Sequence, residues 1–167
     1  MSDSTGSRTK LNNGDLSLLF TTPGSIFKFA EGLTPAMTVL QHQMDSMRVD
    51  VDAINRAMPR FALDASMGRN NVAADYLASS GIKIGKATAT IANDSIITMN
   101  ALVNTLDMGS TRIDTLRLDA IQHAGYLVYH ASMNNRPGTF DDFAHVTLNG
   151  FAGSNRASAF FKQANIK

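Results

Sequence analysis

Residues 33 to 59, LTPAMTVLQHQMDSMRVDVDAINRAMP, place Leu33, Met37, Leu40, Met44, Met47, Val51, Ile54 and Met58 at alternating steps of four and three. Steps of that size put all eight side chains on one stripe of an α-helix. Thr34 before Pro35 supplies an N-cap and a first helical position, and Pro59 closes the segment. Read as heptads, the a positions are Met37, Met44, Val51 and Met58, and the d positions are Leu33, Leu40, Met47 and Ile54. The e positions hold Gln41, Arg48 and Asn55, and the g positions Ala36, Gln43, Asp50 and Ala57, so a parallel homodimer gains no complementary ion pair. Small neutral flanks suit a helix packed among several neighbours. Four of the eight stripe residues are Met, whose flexible thioethers fill irregular gaps and adapt to repacking.

The rest of the chain extends this pattern to an all-α fold, a four- to five-helix bundle with a flexible N-terminal arm and a short tail helix. Residues 1 to 14 are polar and aperiodic, and are assigned to the arm; residues 15 to 153 form the bundle. Thr22 and Pro23 open a short helix over PGSIFKFAEG, and Asn70 or Asn71 caps another through Val72, Tyr76 and Leu77. GIKIGKATATI reads as an extended loop or ribbon. Ile96, Met99, Val103 and Leu106 predict a second core helix, and Ile113, Leu116, Ala120, Ala124, Leu127 and Ala131 a third. Thr139 caps a fourth with Phe140, Phe143 and Val146 inward, and residues 154 to 167 form the tail helix.

Several chemistries are disfavoured. With no cysteine, the chain has no disulfide framework, thiol nucleophile or cysteine-based zinc site. His123 and His130 are seven residues apart, about 10.5 Å along a helix, too far to chelate one ion. Asp119 stands one helical turn before His123, but no nucleophile accompanies the pair. GIKIGKAT departs from a phosphate loop because three residues separate Gly81 and Gly85 and Ala87 divides Lys86 from Thr88. Neither an enzyme nor a cofactor is expected. No apolar run reaches membrane-spanning length and the N-terminus lacks a signal-peptide core, so a soluble protein of the virion or cytoplasm is expected.

What remains is contact. Charged residues are only 17% of the chain, its net charge is +1, and Glu31 is its one glutamate among fourteen acids. Such a sparsely charged surface suits neighbours. Arg112, Asp114 and Arg117 gather two guanidinium groups and an orienting carboxylate, and Lys83 and Lys86 add point charges for phosphates. Met37, Met44, Met47, Phe140, Phe143 and Phe151 are the candidate residues for self-association or partner binding.

TRIDTLRLDAI, with Arg112, Ile113 and Asp114, is similar to the stretch that opens a long RNA-facing helix in tobacco-mosaic-type coat proteins. RPGTFDDFAHVTLNGF resembles the aromatic and acidic segment of flexible filamentous coats. Together with size and composition, the chain resembles coat proteins of rod-shaped or filamentous RNA viruses. The resemblance implies copies of the chain stacked around single-stranded RNA, with Arg112 and Arg117 on phosphates and Asp114 near a ribose or an arginine. The contrasting expectation is a helical adaptor or secretion-type chaperone that holds a partner segment on its Met and Phe surface.

Overall fold

The computed structural model describes residues 6–109, 111–135, 145–153 and 156–164. It is a meander. Nine strands, β1 (Ser7–Asn13), β2 (Leu16–Thr22), β3 (Phe61–Met67), β4 (Lys83–Asn93), β5 (Ile97–Asp107), β6 (Arg112–His123), β7 (Tyr126–Asn134), β8 (His145–Gly153) and β9 (Arg156–Ala164), pair antiparallel in sequence order. Among the described residues three helices interrupt them: α1 (Ile26–Ser46) and α2 (Val51–Ala57) between β2 and β3, and α3 (Val72–Ser79) between β3 and β4.

The register explains why this sequence makes a sheet. Side chains alternate between faces, and directly paired residues share one. Leu11, Leu18, Ala65, Ala89, Ala101, Leu118, Ala131, Leu148 and Phe161 pair in succession, an unbroken apolar row across all nine strands. Shifted by one residue, Lys10, Leu19, Asp64, Thr90, Asn100, Asp119, His130, Asn149 and Phe160 form the matching row on the other face. The sheet therefore has one apolar face and one mostly polar face, as antiparallel sheets with one solvated side do.

Helices α1 and α2 cover one end of the apolar face. Phe29 of α1 meets Phe20 and Phe61 of the sheet with ring centroids 4.7 and 5.5 Å apart, and Ala36 packs inward at 2% exposure. Val51 of α2, at 3%, is the other buried apolar side chain among the described residues. Polar groups fix the rest of this contact. Gln122 of β6 accepts from Asn55 Nδ2 at 2.5 Å and Ile97 N at 3.0 Å, and donates to Asp52 Oδ1 at 2.6 Å. Asn93, 1% exposed, donates to the carbonyl of Met58 at 3.0 Å and lies 3.3 Å from that of Pro59.

The other end is organised by the β1–β2 turn. Gly14, at φ 58°, lets the hairpin close in two residues, and Asp15 reaches the loop before α3. Its carboxylate accepts from Asn70 N at 3.1 Å and Asn71 Nδ2 at 2.6 Å. Asn71 in turn caps α3 through Ala74 N at 2.9 Å, while Asn13 Oδ1 accepts from Val72 N at 2.9 Å. The Asn71 side chain first, then the backbone N–H groups of residues 68 to 70, hold the Asp15 carboxyl below its ordinary value of 3.8. Acidification through that depressed pKa removes the stabilisation, which is present in full above the unfolded value.

The all-α bundle is overturned. Its second and third helices are strands β5, β6 and β7, its tail helix is β9, and the arm contains β1. The start of the fourth helix, with Phe140 and Phe143, lies outside the described residues, and Val146 belongs to β8. The long stripe helix is two helices. α1 begins at Ile26 behind a Ser25 N-cap, runs through Pro35, and ends where Met47 adopts φ 51°. Two expectations hold: α3 with its Asn71 cap, and an extended conformation over residues 83 to 91.

Candidate nucleic-acid interface

Within the strands, the polar face carries Arg8, Lys10, Lys86, Arg117, Arg156 and Lys162 against only Asp64 and Asp119. The apolar face carries Lys83 and Arg112 against Asp107 and Asp114. A net charge of +1 thus conceals a polar sheet face with four more positive than negative groups. Such a field accumulates anions over one side of the molecule.

Side-chain bonds within and between strands order this face. Arg117 donates from Nε to Asp119 Oδ2 at 2.5 Å and from a terminal nitrogen to Oδ1 at 3.2 Å, a two-point fork. Its hydrogen bond, then its charge, hold the Asp119 carboxyl below the usual range, with His130 adding a smaller pull across the strand pair. Asp119 raises the Arg117 pKa in return. Next in the row, His130 Nδ1 bonds Asn149 Oδ1, and Thr90 donates to Asp64 at 3.1 Å. A depression of about 410 Å³ runs past Asn100, Asp119, Ile121, Val128, His130 and Asn149. Beside it Tyr126 and Phe151 meet edge to face, centroids 5.3 Å apart, and Phe160 stands 68% exposed at the sheet's edge.

The five residues expected to contact nucleic acid are divided between faces. Lys86 and Arg117 lie on the polar face. Lys83, Arg112 and Asp114 lie at the rim of the apolar face, where Arg112 Nε is 3.5 Å from Asp114 Oδ1. There Lys83 and Arg112 line a cleft of about 340 Å³ with Arg69, Asp75 and Asp107. Arg69, Lys83 and Arg112 bring three positive charges against the two carboxylates of Asp75 and Asp107, a smaller excess than on the polar face, and Thr105, at φ 58°, walls the cleft beside Gly85. The resemblance to tobacco-type coats implies a helix at Arg112 to Asp114; those residues begin β6.

Sequence reasoning missed Arg8, Lys10, Arg156 and Lys162, which were assigned to an arm and a tail. The signal was alternation: Lys10 beside Leu11, and Phe161 beside Lys162, separate apolar from charged at a period of two. Asp119 faces His130 across the strands, and not His123 along a helix. Met37, Met44 and Met47, expected to face the core or a partner, are 63%, 78% and 94% exposed. Phe151, expected on the association surface, sits on the polar face against Tyr126. No helix is long and apolar enough to cross a membrane among the described residues. No family model matches the chain, and neither a curated protein nor a solved structure does.

Proposed function

We propose that this protein is a non-enzymatic, self-associating subunit that holds single-stranded nucleic acid, RNA in the first instance, on the polar face of its sheet. The observation that carries this reading is the charge division: six cations against two acids on one face of a chain that is nearly neutral. Carried by β1, β4, β6 and β9, from one edge of the sheet to the other, those cations match a flexible polyanion better than a compact anionic ligand. Phe160, Phe151 and Tyr126 offer ring surfaces for unpaired bases, which double-stranded substrates keep stacked. Arg117 enters as a guanidinium already oriented by Asp119, so little side-chain freedom is lost on meeting a phosphate.

The test is the salt dependence of binding to a fluorescent oligouridine. Each phosphate contact removed lowers the slope of log K against log salt by about 0.7 on a single strand. Lys10→Ala with Lys162→Ala is therefore expected to lower it by about 1.4 and to weaken binding. Lys83→Ala with Arg112→Ala, on the other face, is expected to leave the slope unchanged. Equal losses from both double variants, or an unchanged slope for the first, would sink the reading.

A second reading has its own support. Ile26, Met37 and Met44 expose one flank of α1, and Met47 follows at its end, which suits an adaptable surface for a partner protein segment. Replacing Met37 and Met44 by Lys leaves oligouridine binding unchanged if that flank serves a separate partner.

A further inference from the structure

We infer that β9 is the self-association surface, and that two copies pair antiparallel through it about a two-fold axis at Phe160. This deepens the assembly half of the reading above and makes no use of its nucleic-acid half. Among the described residues the sheet order leaves β1 and β9 as its two edges, and an edge strand turns alternate backbone groups away from the sheet. Phe160 and Phe161 are adjacent in β9, so one ring stands on each face, and they are 68% and 64% exposed.

A two-fold pairing of β9 keeps each face continuous only when paired residue numbers sum to an even value, since faces alternate along the strand. Centred on Phe160, the register sets Phe160 against its own copy on the polar face. On the apolar face it sets Phe161 beside Ala159 of the second copy, extending the apolar row that reaches Phe161 through Leu148. Arg156 then lies opposite Ala164, and Lys162 opposite Ser158, so no like charges face each other. The competing contact is between β9 and the other edge. The two edge strands run in the same direction in this meander, so a face-continuous contact between β9 and β1 is parallel; its slanted bonds are slightly weaker than antiparallel ones, and head-to-tail it does not close into a pair.

The strand is also held firmly enough to serve. Gly150 in β8 leaves room for the Tyr129 ring to lie across the strand, where its hydroxyl donates to the Ser158 carbonyl at 3.0 Å. A Cβ at Gly150 would come within 2.4 Å of that hydroxyl oxygen.

The chain has no cysteine, so Phe160→Cys introduces a single thiol at the axis. Directly paired residues in an antiparallel pair have Cα atoms about 4.5–5.5 Å apart, within the range a disulfide spans. Mild oxidation of the full chain is expected to give a covalent dimer with Phe160→Cys and none with Lys10→Cys, its counterpart on β1. Sedimentation equilibrium on the cysteine-free chain is expected to show a dimer that Phe160→Lys weakens at least tenfold and Ser158→Asp, facing Lys162 of the second copy, tightens. A species above monomer mass with no Phe160→Cys cross-link, or with equal cross-linking at Lys10→Cys, overturns the pairing and leaves assembly standing. A monomer at every concentration overturns both.

Discussion

Replacing Gln122 with leucine is expected to destabilise the protein by about 3 kcal/mol, although leucine is of similar size and the site is almost closed to solvent. The side chain ties three segments together: Asn55 and Asp52 from α2, and the Ile97 amide at the start of β5. Leucine removes an acceptor from two N–H donors and a donor from a carboxylate in one step. Asn55 keeps the Ser95 carbonyl at 3.1 Å, but the Ile97 amide loses the side-chain oxygen that Gln122 supplies. Burying an unsatisfied polar group costs about 1–3 kcal/mol, and for a chain of this length each kcal/mol lowers the midpoint by roughly 2–4 °C. Thermal unfolding should thus fall by roughly 6–12 °C, with amide exchange accelerated first over α2. Gln122→Glu keeps the acceptor for Asn55 and Ile97 while setting a second carboxylate against Asp52, so its loss should grow as pH rises through the carboxylate range. A Gln122→Leu midpoint within a degree of the parent's would show that α2 is held by apolar packing alone.

Gly14→Ala is expected to be comparably damaging for a backbone reason. The residue sits at φ 58°, where a side chain costs about 1–2 kcal/mol. A Cβ there would also stand 1.8 Å from the Asn70 carbonyl oxygen, which accepts the Asp15 amide at 3.2 Å. The turn or the loop must move, and the Asp15 contacts that position Asn70 and Asn71 go with it. Gly81 is the matched control, at φ 79° with nothing within 4 Å of a Cβ. Gly81→Ala should cost about 1–2 kcal/mol and Gly14→Ala about twice that, read from thermal or urea unfolding of the two variants side by side. Equal losses would mean the hairpin tip yields freely and does not brace the loop before α3.

Why α3 was legible and the sheet was not follows from the residues that carry each pattern. Asn71 is a strong capping residue followed at once by good helix formers, so local chemistry decides the element. In β5 the inward residues are Ile97, Met99, Ala101 and Val103, but Ala101 reads as a helix former and Ile96, Met99, Val103 and Leu106 fit a helical stripe equally well. Alanines at 65, 87, 89 and 131 conceal the alternation in the same way. The β6–β7 turn falls at Ala124 and Gly125, φ 48° and 80°, without the Asn or Asp that usually marks such a turn. One turn is written plainly, NNGD at the first hairpin, although its polar surroundings match a flexible arm equally well.

Composition held a further clue. The single glutamate, Glu31, lies in α1, and the strands contain none. A chain so poor in the charged helix formers, and rich in Thr and Asn, was better matched to strands than to a bundle. The site was legible only in part because its cations are scattered from Arg8 in the first strand to Lys162 in the ninth, and only the register collects them. Local grouping picked Arg112 with Arg117, which the pleat sends to opposite faces.

Lys83 and Lys86 provide the most direct measurement. They are three residues apart in β4, both exposed, and they point to opposite faces. Lysine acylation of the protein with and without a saturating single-stranded oligouridine, quantified by peptide mass spectrometry, compares the faces within one strand. Binding on the polar face predicts protection of Lys86, Lys10 and Lys162, with Lys83 and Lys28 modified as fast as in the free protein. Protection of Lys83 with Lys86 left reactive, or equal protection of all five, would contradict it.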